Sequence, residues 1–569
     1  MRYRLAELLV VLCPLQAYAA STIFIDASAS PGGKGGSWSD AFVSLSEALA
    51  ASKSGDQIWV AEGTYAPACP IECTFSIPSG VHLLGGFGGA DLTMEARNPV
   101  LHVAMLSGDF LADDVGFGNV EDDALHVVTI ENAIDIVIDG FSLRSCNFLG
   151  ADQWGGLIRL GASEVSLRNC RVYEGLTGAA IYATDSVIEV DSCMFNDSFA
   201  DQIKIEDGFL SLSYASFSRN FGSVFALGEC VIDIVDCDFK DGTGAISFSG
   251  PVSGRVRSCA FLRNSGPVIA NHVQSGNPLG GGPTVHIMDS VFAANSADGD
   301  NAVSVIDNQS CHPLIERCTI VGNVVPAGGT AIYNWGGAIP TIRSSIIWGN
   351  TAGGTATEDA QVLNSSGAVF ISNCNIEGLT GKLLEIDCIS EDPKFVDLDG
   401  SDGILGTEDD DYRLSSDSPC VDAGSVSDTV LGTDLLGWPR LTDGDLDGAQ
   451  RVDMGASEFC HIGLDMSVRQ DAVGQNTYLS LVVSGPRSMQ GQLLVGYAPG
   501  IVGLAPFGAL LFDPGGGWMR YALGSLPAVL VVNVTPLVGM VGPVTLQVLG
   551  LAGGGVGNLS NAVVLDLHP

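Results

Sequence analysis

The sequence predicts an all-β chain whose main body is a parallel β-helix, a coil of three short strands and three bends repeated along one axis. Two observations predict it. First, a unit recurs at fixed spacing. Leu212-Ser213-Tyr214-Ala215-Ser216-Phe217 is followed by Ile234-Val235-Asp236-Cys237-Asp238-Phe239 and then by Val256-Arg257-Ser258-Cys259-Ala260-Phe261, so that Cys193, Ala215, Cys237 and Cys259 stand 22 residues apart. A period of this size marks a solenoid. Second, the apolar residues inside the unit alternate with period two, as in Val165-x-Leu167 and Ile188-x-Val190. That is the pattern of strands, not of helix turns.

Looser copies of the repeat position fall at Cys146, Cys170, Ser290, Cys318, Ser345 and Cys374. Three residues before each copy stands an aliphatic residue, from Leu143 and Leu167 to Ile342 and Ile371, and two residues after it an apolar one. The residue just before it is usually Ser, Asn or Asp, which tolerate a left-handed backbone at a tight bend. Asn220, Asn264, Asn295, Asn323 and Asn350 all lie five residues after it. Turned inward, they would form a ladder that satisfies bend backbone groups otherwise buried without partners. Phe239 and Phe261 are expected to be buried in adjacent coils with their rings stacked. A third strand per unit is read at Ile203-Lys204-Ile205, Val224-Phe225-Ala226 and Val303-Ser304-Val305.

In chain order, residues 1–19 read as a secretory signal: Arg2 and Arg4, the apolar run Leu5 to Leu15, then Ala17-Tyr18-Ala19. The strand Thr22-Ile23-Phe24-Ile25-Asp26 and a capping box at Ser44-Leu45-Ser46-Glu47 follow within residues 20–56. The short helix over 44–53 is expected to close the open end of the solenoid, since a bare end exposes core and strand edge. The β-helix spans 57–390 and an acidic, turn-rich closing module spans 391–460. Residues 461–569 carry alternating apolar positions, clearest at Thr477 to Val483, Gln492 to Tyr497, Val529 to Val534 and Val544 to Leu549. They predict a β-sandwich-like domain of about eight strands. After the signal, no segment is apolar for long enough to span a bilayer.

The repeat over residues 57–400 resembles the right-handed β-helix of the pectin-lyase-like superfamily. The opening Ile58-Trp59-Val60-Ala61-Glu62-Gly63-Thr64-Tyr65 with Leu84-Gly85-Gly86-Phe87-Gly88 resembles exported bacterial β-helix proteins related to polymorphic outer-membrane proteins and adhesins. Asp392-Pro393-x-Phe395-Val396-Asp397, Ser418-Pro419-Cys420-Val421-Asp422-Ala423-Gly424 and Arg451-Val452-Asp453-Met454-Gly455-Ala456-x-Glu458-Phe459 resemble the closing module of choice-of-anchor β-helix proteins. The resemblance implies a cell-surface or secreted location. The same fold also carries polysaccharide lyases and glycoside hydrolases, so fold alone does not fix an activity.

The chain has 65 acidic and 25 basic residues, a net charge of -40. That excludes a nucleic-acid binder, which needs basic surface to neutralise phosphates. Seven cysteines sit at the repeat position, where they read as a column of small buried thiols, with pairing between neighbouring coils left open. Cys69 and Cys73 lie in a loop and are the better disulfide candidates. Two acidic loops suit Ca²⁺, a hard ion that takes six to eight oxygens. Asp397, Asp399, Asp443, Asp445 and Asp447 are the expected ligands, with Glu408 and Asp453 as further partners. Asp122-Asp123 with His126 is the nearest approach to a catalytic constellation, and no catalytic residue is assigned. Lys204, Arg255, Arg257 and Arg263 are scattered basic residues. Tyr182, Phe225 and Trp335 read as outward aromatics able to stack on sugars. Two functions stand: a non-catalytic surface or adhesin-like protein that binds carbohydrate, and a pectate-lyase-type polysaccharide lyase or glycoside hydrolase.

Overall fold

The structure is a computed structural model that describes residues 21–459 apart from 70–71, 114–121, 145–155, 174–178, 199–200, 274–281, 298–303, 426–431, 438–439 and 445–448, together with strands between Asp465 and Leu565. The chain divides into two compact units, one ending at Leu210 and one running Ser211–Pro569.

In the first unit, strand Thr22–Ile25 pairs parallel with Gln57–Ala61, which pairs with His82–Phe87 and so on to Ile136–Asp139 and Glu164–Arg168. Helix Leu45–Ala51 precedes the first full coil. The Ser44 hydroxyl accepts the Glu47 N–H at 3.4 Å, so the helix N-cap read from the sequence is present, and Leu45, Ala48 and Leu49 are buried. The Cys69–Cys73 disulfide is present.

The second unit shows the bend most clearly. Position by position, the residue before the repeat position is left-handed: Tyr214, Asp236, Ser258, Asp289, Arg317, Ser344 and Asn373 have φ between 49° and 54°. A second left-handed residue follows four positions after it, at Arg219, Asp241, Arg263, Ala294, Gly322 and Gly349. Between the two lies a three-residue strand such as Ala260–Leu262 or Val291–Ala293. Non-glycine residues held left-handed cost about 1–2 kcal/mol each, so something must offset them.

The offset comes from inward polar side chains. At the repeat position, the N–H of Cys259 donates to the Ser290 hydroxyl and that of Cys318 to the Ser345 hydroxyl, both at 3.1 Å. In the first unit the Cys170 N–H meets the Cys193 thiol at 3.3 Å. Five residues on, an asparagine ladder runs from Asn264 to Asn350: the N–H groups of Asn264, Asn295 and Asn323 donate to the side-chain oxygens of Asn295, Asn323 and Asn350 at 2.9, 2.9 and 3.0 Å, and the Gly242 N–H donates to Asn264 at 3.0 Å, so a glycine separates Asn220 from this run. It ends on Gln361, whose side-chain oxygen accepts from Asn350 at 2.7 Å. Phe217, Phe239, Phe261 and Phe292 stack beside it with centroids 4.6, 5.0 and 4.5 Å apart.

Two readings need correction. The copy placed at Cys146 belongs five residues earlier. Ile138 pairs with Leu167 and Leu143 with Val172, which puts Phe141 opposite Cys170. Gly140, with φ 80°, supplies the left-handed bend and leaves no Ser, Asn or Asp to mark it. The periodicity also runs past Cys374. Ile371 pairs with Glu385 and Ser372 with Ile386, with Asp387 left-handed, so Cys388 is one further copy.

The closing segment does not continue the coil axis. It folds back along the face formed by the short strands. Gly455 N–H donates to Ser344 O at 2.8 Å and Ala456 N–H to the Thr319 hydroxyl at 3.0 Å. Ala456, Phe395, Leu398, Leu405 and Tyr412 cover Leu262, Val291 and Val321. This is why Val291–Ala293 and Thr319–Val321 are buried at every position. Arg440 is fully buried at its centre, 2.7 Å from both Asp289 and Glu458. Beyond it, the strands from Asp465 to Leu565 pair only antiparallel, for example Asp465–Val473 with Asn476–Ser484 and Gln490–Gly496 with Val544–Leu551. Replacing Phe239 with Ala removes one ring from the stack and should cost about 3–5 kcal/mol in a denaturant titration.

Candidate functional site

In the second unit, strands Ile269–His272, Ser304–Gln309 and Thr330–Trp335 are parallel neighbours, with Ala270 opposite Asp307 and Asp307 opposite Tyr333. Period-two alternation sends Ile269, Asn271, Ile306, Asn308, Ile332 and Asn334 inward and places His272, Asp307, Tyr333 and Trp335 on the outer side. The inward asparagines form a second ladder, Asn271 to Asn308 at 2.8 Å and Asn308 to Asn334 at 2.9 Å. It fixes the three strands directly beneath the outer residues.

The outer residues converge on one carboxylate. Asp307 Oδ1 accepts the Trp335 indole N–H at 2.7 Å, and Oδ2 lies 3.1 Å from His272 Nε2. The His272 and Trp335 rings meet edge-on at 6.3 Å, and Tyr333 lies nearly parallel to Trp335 at 6.4 Å. Asp307 keeps 14% of its side chain exposed and His272 34%. Behind them, burial and the Asp307 charge push the Cys311 thiol up to about 12, which disfavours its thiolate. Two aromatic rings beside an oriented carboxylate and an imidazole suit a sugar: rings stack on its C–H faces, and the carboxylate and imidazole bond its hydroxyls. Of these residues the sequence marked only Trp335 as an outward aromatic. Asp307 lies 28 residues from it and could be found only through the register.

The first unit has a cationic counterpart. Arg159 is opposite Tyr182 and 3.6 Å from Glu131. Lys204 Nζ stands 5.6 Å from the Tyr182 ring centroid and 3.0 Å from Glu206. Its side chain is only 5% exposed.

The sequence-predicted sites fall as follows. Asp122 and Asp123 do not meet His126 as a catalytic pair. Asp122 Oδ2 accepts the Leu111 N–H at 2.9 Å, Asp123 is fully buried, and His126 Nδ1 bonds Gly156 O at 3.1 Å. Asp122 instead joins Asp109 and Asp113, with one oxygen of each within 4.8 Å of the others. Among the described residues this is the one trio so gathered. The spacing of Asp109 and Asp113 within one loop was the signal for it. Asp397, Asp399 and Glu408 are exposed and do not converge with a third ligand within that distance. Their loop is organised by other carboxylates. Asp409 accepts from the Ser401 hydroxyl at 2.6 Å, the Ser401 N–H at 2.7 Å and the Thr407 hydroxyl at 2.6 Å, and these bonds hold it below the usual carboxylate range. Asp443 is half-buried, and Asp445 and Asp447 lie outside the described residues.

Asp453 is fully buried. Its carboxylate accepts the Asp422 N–H at 2.7 Å and the Phe459 N–H, so it is occupied as a turn organiser. Burial pushes it up to about 7, and burial likewise raises its neighbour Glu458, which Arg440 partly offsets.

No family model and no curated protein sequence matches this chain. Among solved structures it is similar to a pectate lyase at 12% identity over 77% of this chain and 96% of that one, with a TM-score of 0.35. It is similar to a polygalacturonase from Erwinia carotovora at 11% identity over 62% and 96%, with a TM-score of 0.30. A tailspike protein of an Acinetobacter baumannii bacteriophage, a capsular polysaccharide depolymerase, matches at 7% identity over 96% and 86%, with a TM-score of 0.25. Likenesses this distant transfer no residue role to this chain.

The Asp453 environment sets a pH response. A folded-state value near 7 against an ordinary value near 3.8 means the folded protein holds this proton more tightly. The stabilisation is therefore complete below about pH 4 and is lost as pH climbs towards 7. The melting temperature of the native chain should fall between pH 5 and pH 8 by more than that of Asp453→Asn. Equal falls would contradict the assignment.

Proposed function

We propose that the chain is an exported, non-catalytic surface protein that binds polysaccharide on the outer side of strands Ile269–His272, Ser304–Gln309 and Thr330–Trp335. The observation that carries this reading is the Asp307 carboxylate held by the Trp335 indole, with His272 and Tyr333 beside it. The signal-like start, the large negative charge and the Cys69–Cys73 disulfide support export. Electrophoresis through gels cast with neutral or acidic polysaccharides tests it. At least one polymer should retard the native chain, and Trp335→Ala or Tyr333→Ala should abolish most of that retardation at unchanged melting temperature. Loss of an aromatic stacking platform costs about 1–3 kcal/mol where bases are the ligand, and a loss of that size here would be a roughly 5- to 150-fold weaker affinity. Retardation unaffected by either substitution would overturn the reading.

A second reading, a polysaccharide lyase or glycoside hydrolase, is favoured by Lys204 and Arg159 beside Tyr182, with Glu131 and Glu206 flanking them. Such a lyase would use a basic residue to abstract a proton. Turnover of a polyuronate to an unsaturated product, lost in Lys204→Ala, would replace the first reading with this one.

Calcium remains proposed for the acidic loops. Because the described carboxylates of 391–459 do not gather at one point, the proposal rests on Asp443 with Asp445 and Asp447, and on Asp397 and Asp399 reorienting from solvent. Millimolar Ca²⁺ should raise the melting temperature and protect residues 391–460 from protease, with Mg²⁺ far less effective. Identical melting and cleavage with EDTA would make the loops solvated turns.

A further inference from the structure

We propose that Cys374 and Cys388 form a disulfide that fastens the last partial coil, a modification site independent of the polysaccharide reading. Four observations place the two thiols together. Strand Glu385–Ile386 pairs parallel with Phe370–Ser372, in the register Ile371 to Glu385 and Ser372 to Ile386. Carried two residues further, that register sets Cys374 against Cys388. The hydrogen bonds on either side agree: Asn373 N–H to Ile386 O and Ile389 N–H to Cys374 O, both 2.9 Å. The Cys388 sulfur accepts the Cys374 N–H at 3.4 Å, so it points towards its neighbour's backbone. In-register parallel neighbours are spaced about 4.8 Å apart, inside the range of about 4.4–6.8 Å that disulfides span between Cα atoms.

Position within the fold distinguishes this pair. Cys170 and Cys193, and Cys237 and Cys259, also sit at successive repeat positions, but all four are buried, with further coil strands on both sides. Among the described unpaired cysteines, Cys388 alone is not buried. Its strand is two residues long and, among the described residues, pairs only with Phe370–Ser372, so its backbone can adjust. The Cys374 thiol beside it holds Cys388 below the usual thiol range, while burial raises Cys374. Cys388 is thus the accessible, more readily ionised partner and Cys374 the resolving one.

The chemistry needs an external disulfide as oxidant, such as oxidised glutathione or an oxidised dithiol protein. The Cys388 thiolate attacks that disulfide, forms a mixed disulfide and releases one thiolate. Cys374 loses its proton to solvent and attacks the Cys388 sulfur, releasing the second thiolate. Overall, two protein thiols become one disulfide and the oxidant becomes two thiols.

The full-length chain is incubated in a glutathione redox buffer, denatured, alkylated and cleaved with trypsin without reduction. Lys382 lies between the two cysteines, so Cys374 leaves on Ser344–Lys382 and Cys388 on Leu383–Lys394. The expected result is one species with the summed mass of these peptides less two hydrogens, which separates on reduction. Cys318, whose neighbours at the repeat position are Ser290 and Ser345, should stay fully alkylated. Cys420 is the internal competitor, since its sulfur lies 3.1 Å from the Asn375 side chain. Full alkylation of both Cys374 and Cys388, or either of them joined to the Cys420 peptide instead, overturns the proposal.

Discussion

Everything in this fold depends on the bend at the repeat position. A coil can turn within three residues only if two of its residues are left-handed and its buried amides find acceptors. Asp236, Ser258 and Asp289 provide the first condition, and the second comes from the small side chains that follow and from the asparagines five residues on. A thiol or hydroxyl serves because it is small enough to be enclosed and still accepts an N–H. Larger apolar residues at that point would leave the amide of the adjoining coil buried without a partner, at about 1–3 kcal/mol each. The same bond recurs where the N–H groups of Cys170, Cys259, Cys318 and Cys374 meet the thiol or hydroxyl of the next copy, while Ala215 and Phe141 fill that position without an acceptor.

Once the bends are fixed, alternation assigns the faces. The short strands Ala260–Leu262, Val291–Ala293 and Thr319–Val321 turn Leu262, Val291 and Val321 outward, too apolar to leave in water, and the closing segment covers them. The cover brings buried charge with it. Arg440 is held between Asp289 of a coil and Glu458 of its own segment, and Arg317 pairs with Asp289 at 2.8 Å. Buried pairs of this kind add little net stability over apolar packing, but removing one partner is costly. They therefore fix where the segment docks more than how strongly. The face bearing Asp307 carries partly exposed polar and aromatic side chains, anchored from within by Asn271, Asn308 and Asn334.

The sequence revealed what is periodic and hid what is not. Leu167, Val190, Ile234 and Ile287 could be aligned by eye because each faces the interior of its own coil, and their registers match the structure. Gly140 and Phe141 escaped because a glycine bend needs no polar marker and the phenylalanine replaces the small residue. Cys388 escaped because only 14 residues separate it from Cys374, against 22 to 31 between the other copies from Cys170 onward. The fold-back of the closing segment was illegible for a different reason. Thr319 and Ala456 are 137 residues apart, and nothing local encodes their meeting. Carboxylate spacing suggested metal binding at Asp453, yet its carboxylate bonds two backbone amides. Local spacing cannot say whether a carboxylate faces an ion or an N–H. The His272, Asp307 and Trp335 cluster needed three strands in register before it existed at all.

The most direct test of the polysaccharide-binding reading is hydroxyl-radical footprinting of the intact chain with and without a retarding polysaccharide, read by mass spectrometry. Bound polymer should suppress oxidation of Trp335, Tyr333 and His272 severalfold while Tyr214, which is 53% exposed, reacts as before. Unchanged oxidation at Trp335 and Tyr333 under conditions where the polymer is bound would contradict the account.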